Sequence, residues 1–183
     1  RKDFEFYKSE IDFGNTKQVF HIGKGSIAIP GNAKGLLYIH ERLGKLPFKV
    51  IAEPAIEIAK NGVKLSKSQS YITSLLSPIV QTSEDSRKLF YKNNNIISEG
   101  DLFINSDLAE VIEWISEEGS RPFYEGELAI RLIKYLGSDG LITAEDLRNY
   151  KVIERIPLSH ELLNSTFYTN PSPSVGGTLI TFL

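Results

Sequence analysis

Apolar residues recur along most of the chain at three- and four-residue spacing, the pattern of helices that bury one face. Leu36, Leu37, Ile39 and Leu43 follow Pro30-Gly31 and stop at Gly44, which predicts a first helix ended by glycine. Val50, Ile51, Ala55, Ile58 and Ala59 predict a second, entered through Leu46-Pro47 and ended by Gly62, with Pro54 as a point where a fresh helix can start. A third is expected from Ser66 to Val80 on Ile72, Leu75, Leu76 and Ile79, and another from Glu84 to Tyr91 behind Thr82 or Ser83 as cap. The clearest stripe is Leu108, Val111, Ile112 and Ile115, behind Ser106 or Asp107 and ending at Gly119. A further helix is expected from about Glu125 to Leu136. Thr143-Ala144-Glu145-Asp146 then carries the threonine and acid of a capping box for a short helix reaching Tyr150.

Shorter periods mark strands. Val19 to Ile22 and Ser26 to Ile29 around Gly23-Lys24-Gly25 predict a hairpin, and Asn93-Asn94-Asn95 a loop or turn. From Lys151 onward Val152, Ile156 and Leu158, then Phe167-Tyr168-Thr169, predict a second hairpin turning at Asn164-Ser165. Gly176-Gly177-Thr178-Leu179-Ile180-Thr181-Phe182-Leu183 opens an apolar helix. The expected class is α+β, predominantly helical, with a few flanking strands and a single domain over residues 1–183.

Composition narrows the function classes. The 183 residues are 41% hydrophobic and 24% charged, as in ordinary soluble globular proteins. With 21 basic and 23 acidic side chains the formal charge is -2, which provides no broad field for nucleic acid. Zero cysteines exclude disulfides and thiolate metal sites within the chain. No stretch approaches the roughly 20 apolar residues of a membrane helix. The chain holds no methionine, begins Arg1-Lys2-Asp3-Phe4 and stops within an apolar run, so it reads as an internal excerpt of a longer protein.

Several motifs fall short of chemistry. Gly23-Lys24-Gly25-Ser26 lacks the glycine five residues earlier that a phosphate loop needs, Gln18 standing there, and Pro30 follows where a helix should start. His40-Glu41 would need a histidine at position 44, which is glycine, and His21 and His160 lie far off in sequence, so no zinc site is expected. Ser138 to Asp146 resembles half of a calcium loop, but Tyr135 and Gly137 fall at its first and third ligand positions. Glu117 and Glu118 are adjacent and face different sides of a helix, a poor acid/base pair. Asn164-Ser165-Thr166 fits a glycosylation triplet of a kind that arises often by chance.

The glycine and proline punctuation, taken in order, resembles the large subunit of gamma-glutamyltranspeptidases (gamma-glutamyltransferases) from Ser26 onward. The blocks are Ser26-Ile27-Ala28-Ile29-Pro30-Gly31 with Gly35-Leu36, then His40-Glu41-Arg42-Leu43-Gly44-Lys45-Leu46-Pro47-Phe48, then Pro54-Ala55-Ile56 with Ala59 and Gly62. Leu108-Ala109, Gly119, Phe123-Tyr124-Glu125-Gly126 and Ala129 follow, then Asp139-Gly140-Leu141-Ile142-Thr143 with Glu145-Asp146-Leu147 and Tyr150. The last, Asn170-Pro171-Ser172-Pro173-Ser174-Val175-Gly176-Gly177, is similar to a proline-serine-glycine-glycine signature, departing from its commonest form at Asn170, Ser172 and Val175.

The resemblance implies an excerpt of the αββα N-terminal nucleophile hydrolase architecture. In that family a precursor cuts itself, and the new N-terminal threonine of the small subunit attacks an amide carbonyl with its own α-amine as base, while positioned amides stabilise the oxyanion. By this reading the chain holds no catalytic residue, no metal and no cofactor. Its partners are the small catalytic subunit of the same precursor and a gamma-glutamyl small molecule, with no nucleic acid and no membrane segment in this chain. Family members are often periplasmic or extracellular, and the chain itself leaves localisation unknown. The family's carboxylate-clamping arginine falls before Arg1 and is not transferred to Arg42, Arg121 or Arg131. Ser174, Gly176 and Gly177 are the substrate-binding candidates, by proximity to the cleft, beside the plainer expectation of a helix cap and tight packing. The departures in the last block leave a glutathione-like substrate and another amide, as in the acylase branch, both open. A non-catalytic helical interaction module on the same scaffold is the reading from a different class.

Overall fold

The computed structural model describes residues 6–182, the Leu162 side chain excepted, and its backbone divides into two compact units, Arg1–Tyr150 and Lys151–Leu183. The ends of the run, Arg1 to Phe4 and Leu183, fall outside the described residues. No described helix is long and apolar enough to cross a membrane.

The first unit opens with an antiparallel hairpin, β1 (Tyr7–Asp12) and β2 (Lys17–Ile22), in register from Tyr7 opposite Ile22 to Asp12 opposite Lys17. Val19 to Ile22 is thus a strand as expected, but its partner lies upstream rather than in Ser26 to Ile29. Lys24–Ser26 forms a 3-10 turn in which both the Ser26 amide (3.1 Å) and hydroxyl (2.9 Å) donate to the Gly23 carbonyl, and Pro30 has no N–H for a ladder.

Helix α1 (Asn32–Leu43) and helix α2 (Phe48–Asn61) follow their apolar stripes, and α2 runs unbroken through Pro54. Proline there removes one intrahelical donor, a loss the flanking turns absorb. The short strand β3 (Val63–Lys64) leads to α3 (Lys67–Leu75), capped by a reciprocal Ser66 and Gln69 box, and α4 (Ser77–Val80). The single helix expected from Ser66 to Val80 is broken at Leu76 because Pro78 opens the next turn. Helix α5 (Glu84–Phe90) starts on Ser83. Strands β4 (Tyr91–Lys92) and β5 (Asn95–Ile96) form a hairpin whose two turn residues, Asn93 and Asn94, have φ of 50° and 62°, which asparagine tolerates best after glycine.

Strand β6 (Leu102–Phe103) pairs with β3 and delivers the chain to α6 (Ser106–Glu118), capped by Asn105 rather than Ser106 or Asp107. The α2–α6 pair buries Ala52, Ala109 and Ile115, the two alanines being small enough to let the backbones approach. Lys49–Glu117 (2.8 Å) and Lys60–Glu113 (3.0 Å) flank the seam, exposed pairs that add little stability. A single turn, α7 (Arg121–Tyr124), precedes α8 (Glu127–Leu136), so the helix expected from Glu125 begins two residues later, after Gly126, where a Cβ would stand 2.8 Å from the Pro122 Cα. The last helix of this unit, α9 (Ala144–Asn149), carries the anticipated capping box: Thr143 Oγ1 accepts from the Asp146 amide at 3.2 Å and Asp146 accepts from the Thr143 amide at 2.8 Å. Thr143→Ala is expected to lower stability by about 1 kcal/mol, measured as a shift in urea midpoint at unchanged slope.

The core of this unit gathers where α7, α8 and α9 meet, on Tyr124, Leu136 and Leu147. The Tyr124 hydroxyl donates to the Pro30 carbonyl at 2.5 Å and accepts from the Lys34 amide at 3.3 Å, while its ring stacks on Tyr150 at 5.7 Å. Lys34 Nζ lies over the Tyr124 ring at 4.8 Å and donates to the Tyr150 carbonyl at 2.8 Å. Gly31 is required here because the Tyr150 hydroxyl occupies the place a Cβ would take.

In the second unit, β7 (Leu158–Leu162) and β8 (Ser165–Thr169) form a hairpin turning on Leu163 (φ 47°) and Asn164 (φ 64°). The turn sits one residue earlier than expected. Val152 and Ile156 lie outside the strand, with Ile156 90% exposed, since Pro157 cannot donate to a ladder. The chain then enters α10 (Val175–Ile180).

Candidate functional site

Ser174 is the N-cap of α10, with its side chain accepting from the Gly177 amide at 3.5 Å and its carbonyl accepting from Thr178 Oγ1 at 3.1 Å. Gly177 is buried: a Cβ there would run into the Asn170 carbonyl oxygen and lie 2.9 Å from Thr169 Oγ1. Gly176 faces open space, with nothing within 4 Å of a Cβ position. Of the three candidates, two therefore have cap and packing duties, and Gly176 offers bare backbone to whatever approaches.

Ser174 also lines a cavity of 530 Å³ in this unit, together with Arg155, Asn170 and three prolines, Pro157, Pro171 and Pro173. Arg155 and Asn170 escaped notice as site residues. Arg155 stands in a stretch that alternation marked as strand, and Asn170 figured as a departure from the serine-glycine signature; the nearby X-Pro pairs were the available signal that this segment is rim rather than ladder.

The motifs set aside on spacing have structural employment. Lys24 Nζ donates to the Tyr135 carbonyl at 2.6 Å and sits 4.4 Å from that ring's centre. The His40 ring nitrogen Nε2 is 2.7 Å from the Leu46 carbonyl, and the ring meets Phe48 edge-on at 5.2 Å. Glu117 pairs with Lys49, which holds its carboxyl below the usual range, and Glu118 accepts from Trp114 Nε1 at 2.7 Å. Asp146, the last position of the calcium-like loop, is occupied by the α9 capping box. Arg42 lies over the Tyr38 ring and Arg131 pairs with Glu127 at 3.0 Å. Among the described residues no three His, Cys, Asp or Glu side chains gather as a metal site.

The first unit carries an apolar groove of 690 Å³ between α1, α2 and α6, walled by Leu36, Ile39, Leu43, Ile51, Leu108 and Ile112. Leu43 is 77% and Leu36 60% exposed, so the stripe of α1 that predicted the helix lies largely open. Its lining has no ionisable group besides His40.

The family model described as Gamma-glutamyltranspeptidase matches residues 3–183. The chain is 32% identical over 183 residues to the Capsule biosynthesis protein CapD proenzyme of Bacillus anthracis, covering 100% of this chain and 33% of that protein. It is 34% identical over 163 residues to the Glutathione hydrolase proenzyme of Pseudomonas aeruginosa, covering 85% of this chain and 28% of the other. In structure it is similar to Helicobacter pylori gamma-glutamyltranspeptidase, with a TM-score of 0.80 at 29% identity over 86% of this chain and 46% of that one. The chain spans about a third of the length of these curated relatives. Its helix-rich α+β architecture is similar to theirs, and the chain belongs to the gamma-glutamyltranspeptidase family.

Proposed function

We propose that the chain is part of the large subunit of a self-processing gamma-glutamyl transferase or hydrolase, acting on gamma-glutamyl amides of the glutathione type. The observation that carries this reading is the family match across residues 3–183, and the word proenzyme in the relatives' names supports the processing step. The nucleophile is the N-terminal threonine of a small subunit released from the same precursor. Its α-amine, with an ordinary pKa near 7.7–8.0, takes the hydroxyl proton as the oxygen adds to the amide carbonyl. Backbone amides then hold the oxyanion. Residues 1–183 form one large-subunit domain that builds a rim of the substrate cleft through Ser174, Gly176 and Gly177 and lacks activity alone.

The full-length protein is expected to release p-nitroaniline from gamma-glutamyl-p-nitroanilide, and residues 1–183 alone to release none. Full-length protein that hydrolyses no gamma-glutamyl amide would reject the reading and bring forward the acylase or the non-catalytic module.

A further inference from the structure

Of the asparagines in the chain, Asn164 alone opens a triplet with a hydroxyl residue two positions on and no proline between, the acceptor pattern for an N-linked sugar. Asn170-Pro171-Ser172 has the hydroxyl residue but carries the excluded proline. Triplets that arise by chance fall anywhere in a fold, in helices and cores included. This one sits at a turn tip. Leu162 pairs with Ser165 across the β7–β8 ladder, so Leu163 and Asn164 are the two residues of the turn. Asn164, Ser165 and Thr166 are all exposed, and Leu163 beside them is 91% exposed. Asn164 holds φ at 64°, a conformation asparagine accepts more readily than other residues with a Cβ. Among the described residues its carboxamide makes no hydrogen bond, so a bulky substituent there displaces no contact of the hairpin.

We propose that Asn164 is an N-glycosylation site whose donor is a glycan carried on a lipid pyrophosphate. The carboxamide nitrogen bonds to the anomeric carbon of the first sugar as the bond from that carbon to the pyrophosphate oxygen breaks. The lipid pyrophosphate leaves with the electron pair, and the nitrogen gives one proton to a base of the transferase. Thr166 is the residue that completes the triplet, and in the closed hairpin its Oγ1 donates to Glu161 Oε1 at 2.8 Å, on the strand directly opposite. That hydroxyl is free to be read by the transferase before the hairpin closes, so transfer precedes closure and the finished turn then holds the sugar in solvent. The sugar stands beside Leu163 and makes the most exposed apolar side chain of the hairpin less accessible to water. The site is independent of the activity proposed above. It carries with it passage of the chain through the compartment where such a donor is presented.

The test uses full-length protein produced in its own organism, as wild type, Thr166→Ala, Thr166→Ser and Asn164→Asp. The peptide containing Asn164 is fragmented in a mass spectrometer to locate any added sugar mass. Wild type is expected to carry sugar on Asn164, Thr166→Ser to retain it, and Thr166→Ala and Asn164→Asp to lose it. Thr166→Ala removes one exposed hydrogen bond and leaves the turn residues intact, whereas Asn164→Asp keeps a side chain that accepts the left-handed turn position. If either fails to fold, the other carries the same comparison. A wild-type protein whose Asn164 is unmodified in every molecule overturns the proposal, and so does sugar that persists in the same peptide of Thr166→Ala. Turnover of gamma-glutamyl-p-nitroanilide, measured on the same samples, reports on the proposed activity separately and does not enter this comparison.

Discussion

Tyr124→Ala is expected to destabilise the unit of residues 1–150 by about 3–5 kcal/mol, the range for removing a large aromatic from a core. Tyr124 is 1% exposed, and its ring stacks on Tyr150 while its hydroxyl ties the Pro30 carbonyl and the Lys34 amide at the entry to α1. Tyr124→Phe keeps the ring and leaves those two backbone groups without this partner, so its expected cost is smaller, about 1–3 kcal/mol. Urea unfolding of the two variants separates ring from hydroxyl. The pH dependence adds a sign. Burial pushes the Tyr124 phenol above its ordinary value of 10.0, opposed by the Lys34 amide that donates to it. The unfolded chain therefore ionises first: the contribution is complete below pH 10 and is lost as pH rises through the folded-state value. Tyr124→Phe is expected to flatten the decline in stability above pH 10, and an unchanged decline would contradict the assignment.

The adjacent glycines of α10 are expected to respond in opposite directions. Gly176→Ala adds a methyl into open space within a helix and should stabilise by up to about 1 kcal/mol, since alanine loses less backbone entropy there. Gly177→Ala drives the same methyl into the Asn170 carbonyl and should destabilise by about 1–3 kcal/mol, because backbone must move to relieve it. Thermal melts of the two variants in the full-length protein decide this. Equal behaviour would mean that the carbonyl of Asn170 does not pack on α10 as described. The pair also bears on function: Gly176→Ala narrows whatever approaches that backbone without disturbing the fold, so a selective rise in KM with it would support the cleft-rim role.

The helices were legible because their apolar stripes and caps are local. Leu108, Val111, Ile112 and Ile115 mark α6 to within a residue, and Thr143 with Asp146 marks the start of α9. What failed depended on partners elsewhere. Val19 to Ile22 shows strand character, but nothing in it says whether it pairs forward or back, and the 3-10 turn at Lys24–Ser26 closed the forward route. Leu163 in a left-handed turn position defied composition, which favours Asn164-Ser165. The ordered glycine and proline blocks were legible as a set, and three of them meet in space: Pro30-Gly31, Tyr124 and Tyr150 lock together. Of the 530 Å³ cavity, Ser174 stood out through the serine-glycine pattern, whereas Arg155 joins it only through folding.

Intact mass of the purified full-length precursor, with N-terminal sequencing of every species, tests the central claim most directly. The account predicts two chains, the larger containing residues 1–183 and the smaller beginning with threonine downstream of Leu183. A single chain that stays uncut on prolonged incubation would contradict self-processing and leave a non-catalytic member of the family.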